Sequence, residues 1–152
     1  MDYRANAGTL RPVASSFESR PNTPPVWGVY LLGEVLEHLQ SAGGVMEQAT
    51  NTAKRAKELY EIIDESNGFY INKHHPAVRS HMNVVFNLPT SVLEDQFLDE
   101  AEAAGFNFLW GHSSVGGIRV TAYNWITNEA VKAVADFMRS FAGRLNTNAS
   151  EL

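Results

Sequence analysis

The sequence predicts an α+β domain, a small antiparallel or mixed sheet covered by helices. Three observations carry that expectation. Residues 25–40 and 45–65 repeat apolar side chains at helical spacing. Residues 82–88 read as a buried strand stopped by a proline, and residues 118–122 as a strand alternating with period two. A glycine-containing turn joins two of the strand-like segments, so neighbours in sequence can pair as a hairpin rather than through a crossover.

Taken in order, residues 1–21 form an irregular arm or linker, because Ala, Ser, Pro and Arg dominate and no period persists. The folded domain is placed at residues 22–143. Thr23 is a natural N-cap with Pro24 at the first helical position. The helix that follows, Pro25 to Gln40, spaces Val29, Leu32, Leu36 and Leu39 along one stripe, and Gly43-Gly44 ends it. Val26, Trp27, Tyr30 and Leu31 add apolar surface outside that stripe. A second helix, Val45 to Glu65, aligns Ala49, Ala53, Ala56, Leu59, Tyr60 and Ile63, and leaves Lys54 and Lys57 on a solvated face.

Gly68 closes that helix, and Phe69-Tyr70-Ile71 reads as a short strand. Lys73-His74-His75-Pro76 reads as a surface loop, since adjacent histidines diverge in an extended segment and no further ligand stands at a metal-site spacing. Met82 to Leu88 is a buried strand stopped by Pro89. Ser91-Val92-Leu93-Glu94 fits a capping box and opens a third helix with Leu93, Phe97, Leu98 and Ala101 on its apolar face, closed by Gly105. A strand from Phe106 to Trp110 and a second strand after Gly116-Gly117 make the hairpin. Thr127 caps the last helix, whose core stripe is Val131, Val134, Ala135, Met138 and Phe141. Residues 144–152 read as a flexible tail.

Composition bounds the function. A chain of 152 residues is a prior for one domain with a real core. The net charge of −5, with no basic cluster, argues against a nucleic-acid footprint. Without cysteine there is neither a disulfide framework nor a thiolate nucleophile. No apolar run is long enough to span a bilayer and the N-terminus has no hydrophobic signal core, so no membrane partner is expected and a cytoplasmic location is.

The chemistry concentrates in Gly111-His112-Ser113-Ser114-Val115-Gly116-Gly117-Ile118-Arg119 and the following Tyr123-Asn124. Two groups able to bind anions, His112 and Arg119, flank the turn, and the glycine pair allows close approach of a ligand or another chain. The same residues fit a plain β-turn with a surface arginine. This stretch resembles the signature of the phosphoserine aminotransferases. Asn22-Thr23-Pro24-Pro25 is similar to a second signature of that family. Ser66-Asn67-Gly68-Phe69-Tyr70 with Arg79-Ser80 and Met82-Asn83-Val84 is similar to a third. The resemblance runs from about Tyr3 to about Phe141 and covers the family's C-terminal small domain only.

The resemblance implies the small domain of a fold-type I enzyme that uses pyridoxal phosphate to move an amino group between phosphoserine and 2-oxoglutarate in serine biosynthesis. It assigns Asn22 and Thr23 to the cofactor phosphate of a neighbouring subunit, Arg119 to the substrate α-carboxylate, and His112 to the substrate's distal acidic group. It implies a homo-oligomer, or a partner chain carrying the large cofactor domain. The Schiff-base lysine lies upstream of the Asn-Thr-Pro-Pro signature in the family. Lys54, Lys57, Lys73 and Lys132 here fall on polar helix faces or in a loop. No catalytic residue, no metal site and no covalently bound cofactor are therefore expected of this chain alone. The sequence departs from the pattern at Ser113, where the family has Arg, and at Trp125, where it has a small residue. A non-catalytic interaction module that kept the fold is the alternative reading.

Overall fold

The computed structural model describes residues 23–150, and side chains as far as residue 145. The chain divides at Gly44 into two compact units. The first contributes helix α1 (Val26–Ser41). Its start differs from the sequence expectation: Pro25, not Thr23, is the N-cap, and no side chain caps the helix. The Pro24-Pro25 pair accounts for the later start, because a residue preceding proline is driven out of the α region and Pro24 therefore cannot be the first helical residue after a Thr23 cap. Gly43 and Gly44 adopt φ of 94° and 68° and end the helix as expected. No side chain of α1 is buried; Val29, Leu32 and Leu36, the intended core stripe, are 63%, 55% and 55% exposed.

In the second unit the order is α2 (Gly44–Glu65), a 3-10 turn at Pro76–Val78, β1 (Asn83–Phe86), α3 (Ser91–Ala103), β2 (Trp110–His112), β3 (Gly116–Thr121) and α4 (Asn128–Ser150). The strands form one antiparallel sheet in the order β1-β3-β2, with Val85 opposite Arg119 and His112 opposite Gly116. One face carries Val84, Phe86, Ile118 and Val120 into a core shared with α2, α3 and α4. Phe97 of α3 is its centre: the rings of Phe86, Phe137 and Phe141 stand 5.1–5.7 Å from it in edge-to-face contact. Tyr70 is 2% exposed, donates its hydroxyl to the Met138 carbonyl at 2.8 Å, and burial holds its phenol well above the ordinary value. The core stripe of α4 is buried at all five expected positions.

Four local expectations are corrected. Phe69-Tyr70-Ile71 is not a strand; only Ile71 bridges Asn87. The hairpin's first strand is confined to Trp110–His112, because Phe108 takes a left-handed φ of 63° and breaks the extended path from Phe106. The cap of α3 is Thr90, whose hydroxyl accepts from Leu93 N at 3.3 Å; Glu94 turns back instead to Leu88 N and the Asn87 amide. The last helix does not end at Gly143. It continues to Ser150, helped by Leu145 packing on the core and an Arg144–Glu100 ion pair.

In α2, the buried face is rotated from the stripe read off the sequence. It takes in Thr52 and Arg55 and leaves Ala49 exposed. Arg55, 5% exposed, donates to the Ile126 carbonyl and to Thr52 Oγ1, tying α2 to the loop ahead of α4.

Candidate functional site

The motif around residues 111–119 becomes the β2–β3 hairpin. Val115 N donates to the His112 carbonyl at 3.0 Å, closing the turn. Its glycines are fixed by the chain itself. A Cβ on Gly111 would lie 1.9 Å from the Gly116 carbonyl oxygen. Gly117 has φ of 74°, and a Cβ there would meet the Asn87 amide at 2.6 Å and the Phe86 carbonyl oxygen at 3.0 Å. The close approach expected at Gly117 is therefore to the chain's own β1, while only Gly116 faces open space.

Arg119 stands on the sheet face opposite the core, held by Arg119 N donating to the Leu109 carbonyl at 2.7 Å. Its Nε is buried without a hydrogen-bond partner, and its guanidinium forms no ion pair among the described residues. An unpartnered buried N–H is costly, and among the described residues Arg119 Nε shares that state with Arg55 Nε. It lines a cleft of about 480 Å³. His112 has the opposite parity along the hairpin but lines the same cleft from its exposed end. Its Nδ1 is engaged by the Ser114 hydroxyl at 2.8 Å and by Ser114 N at 3.2 Å, which turns the ring's other edge outward. The structure thus brings His112 and Arg119 together. Ser113 is exposed and outside the cleft.

Two residues that sequence reasoning left in a surface loop join the same wall. Lys73 and His74 line the cleft with Asn87 and Val85. Both fixed cations and both imidazoles lie there, and no carboxylate does. Of the two residues assigned to a cofactor phosphate, Asn22 lies outside the described residues; Thr23 is exposed ahead of α1.

The residues of the third motif act as supports. Asn67 and Gly68 turn the chain with φ of 52° and 84°, and Ser66 Oγ accepts from Tyr70 N at 2.9 Å. Arg79 grips Asp64 with two hydrogen bonds of 2.6 and 2.8 Å and lies 4.7 Å over the Tyr60 ring. Asn83 accepts from Thr121 Oγ1 at 3.1 Å across the open face.

The second unit is thus an antiparallel sheet backed by helices, with a cleft lined by Arg119, Lys73 and two histidines and by no acid. The chain belongs to the class-V aminotransferases, whose family pattern it matches over residues 4–134. Its relatives in that family are phosphoserine aminotransferases. That of Lysinibacillus sphaericus (strain C3-41) is 49% identical over 120 residues, spanning 79% of this chain and 33% of that protein. A structure of phosphoserine aminotransferase determined for radiation damage of its Schiff base superposes with a TM-score of 0.79 at 41% identity, covering 83% of this chain and 35% of that one. The pyridoxal-phosphate-bound phosphoserine aminotransferase of Trichomonas vaginalis gives a TM-score of 0.74 at 29% identity, covering 91% and 37%. The chain spans about a third of the length of the relatives it matches.

The described residues do not fit a complete pyridoxal site. Lys57 and Lys132 pair with Glu61 and Asp136 on exposed helix faces, and Lys54 is exposed on α2. Lys73 reaches the cleft, but no carboxylate there could partner a pyridinium nitrogen.

Proposed function

We propose that this chain supplies the substrate-binding part of a phosphoserine aminotransferase, and that the Schiff-base lysine and its acid come from the part of the family's length it does not span. The observation that carries this reading is Arg119, half-buried and with its Nε buried and unpartnered, in a cleft free of carboxylates. Its two parallel N–H groups match a carboxylate, the group common to phosphoserine, glutamate and their 2-oxo partners. His112, oriented by Ser114, presents a ring nitrogen to the distal end of such a substrate. Asn22 and Thr23 belong to the cofactor-phosphate contact by their motif. The partner is a second copy or a chain bearing the large domain, received by the apolar surface of α1.

The test is Arg119→Lys, which keeps the charge and loses the two-pronged geometry. Titration of the full chain with L-serine and O-phospho-L-serine should show binding weakened about tenfold. Its thermal midpoint should be nearly unchanged, since nothing pairs with the guanidinium. Unchanged affinity for both ligands would sink the reading. A non-catalytic module is favoured by the uncharged Ser113 and the unburied α1. It predicts no transamination when the chain is combined with the cofactor-bearing portion of a relative.

A further inference from the structure

Resting on the reading of Arg119 as the α-carboxylate site, we propose that Lys73 and His74 are a second anion anchor in the same cleft. They set specificity for amino acids that carry a distal anionic group, phosphate or carboxylate. The segment bearing them is fixed to the sheet rather than free in solvent. Ile71 exchanges two backbone hydrogen bonds with Asn87 at 2.8 and 2.9 Å. The Asn72 amide donates to the Val85 carbonyl at 2.7 Å, while its own carbonyl oxygen accepts from His74 N at 2.7 Å. The His74 carbonyl in turn accepts from Arg79 Nε at 3.4 Å.

These bonds lay residues 71–74 along the free edge of β1, so that β1 separates them from Arg119 on β3. Two strand spacings, about 10 Å between backbones, are within the combined reach of a lysine and an arginine converging on one small molecule. The charge pattern has one sign. Lys57 and Lys132 each have a carboxylate within 3.6 Å, whereas Lys73 has none within ion-pair distance among the described residues. A cleft lined by an unpaired lysine, by an arginine whose buried Nε has no partner, and by no acid suits a ligand with two negative groups.

The experiment compares L-serine, L-glutamate and O-phospho-L-serine by calorimetric or NMR titration of the full chain, for the wild type, Lys73→Ala, Lys73→Arg, and Lys73→Ala combined with His74→Ala. The wild type should bind phosphoserine about tenfold more tightly than serine, with glutamate between them if a carboxylate also serves. Lys73→Ala should bring the ratio close to one without weakening serine, the double variant should complete the loss, and Lys73→Arg should restore most of it. A ratio unchanged in the double variant, or equal wild-type affinity for serine and phosphoserine, overturns the second anchor and leaves Arg119 as the carboxylate site. No binding of any of the three overturns both.

Discussion

At the scale of single residues, the cleft depends on atoms that never touch a ligand. Gly117 is pressed against the Asn87 amide, and Asn87 is in turn held by Glu94 Oε1 at 2.9 Å. The left-handed φ of 74° adds to the steric demand. Gly117→Ala is expected to destabilise the second unit by about 2 kcal/mol or more, through strain and displacement of Asn87. Chemical denaturation of the full chain checks this, and a cost under about 0.5 kcal/mol would mean the hairpin can shift without loss. Arg119 was legible in the sequence because the alternation Ile118-Arg119-Val120 fixes its face once the strand is recognised. Lys73 was not. Its place depends on the Asn72–Val85 hydrogen bond, which no local pattern announces.

At the scale of elements, periodicity carried most of the fold. The stripes of α3 and α4 follow from spacing alone, as does the alternation of β3; β1, read as a buried strand, alternates too and buries only one face. What the sequence did not show was decided by tertiary contact: Glu94 leaving its expected capping role for Asn87, Phe108 forced left-handed, and α2 rolled so that Arg55 reaches Ile126. The junction between α2 and the cleft-bearing segment is latched by Asp64 and Arg79. The Arg79 hydrogen bonds hold the Asp64 carboxyl below its ordinary value of 3.8. A lowered acid contributes stability that is present above the unfolded value and lost as pH falls through the folded one. Asp64→Asn should therefore lower the melting temperature modestly at pH 7, within about 1 kcal/mol because the carboxylate is half exposed, and the difference should shrink as the pH is lowered past 3.8 and the folded carboxylate takes up its proton. Melting curves of both proteins across that range decide it. A difference that persists in acid would assign the effect to shape rather than charge.

At the scale of the whole molecule, the two units differ in kind. Residues from Val45 onward enclose an aromatic core, and no helix among the described residues is long and apolar enough to cross a membrane. Helix α1 buries nothing, yet it displays Trp27 at 70%, Tyr30 at 54% and Leu31 at 45% exposure. Exposed apolar side chains in this number on one helix are what an interaction face requires. The chain is expected to self-associate or to bind a partner there. Sedimentation at rising concentration should show a growing sedimentation coefficient, and Trp27→Glu combined with Leu31→Glu should suppress it. A wild-type chain that stays monomeric at high micromolar concentration and captures no cofactor-bearing domain would count against the proposal.

The bare surface of α1 also governs how the stability of this protein is to be measured. A partner that covers that helix and binds only the folded chain ties the folding equilibrium, by mass action, to its own concentration. At a hundredfold excess over its dissociation constant, such a partner adds about 2.7 kcal/mol. The melting temperature of this chain is then a concentration-dependent quantity, and its slope against the logarithm of partner concentration is a binding isotherm read by heat.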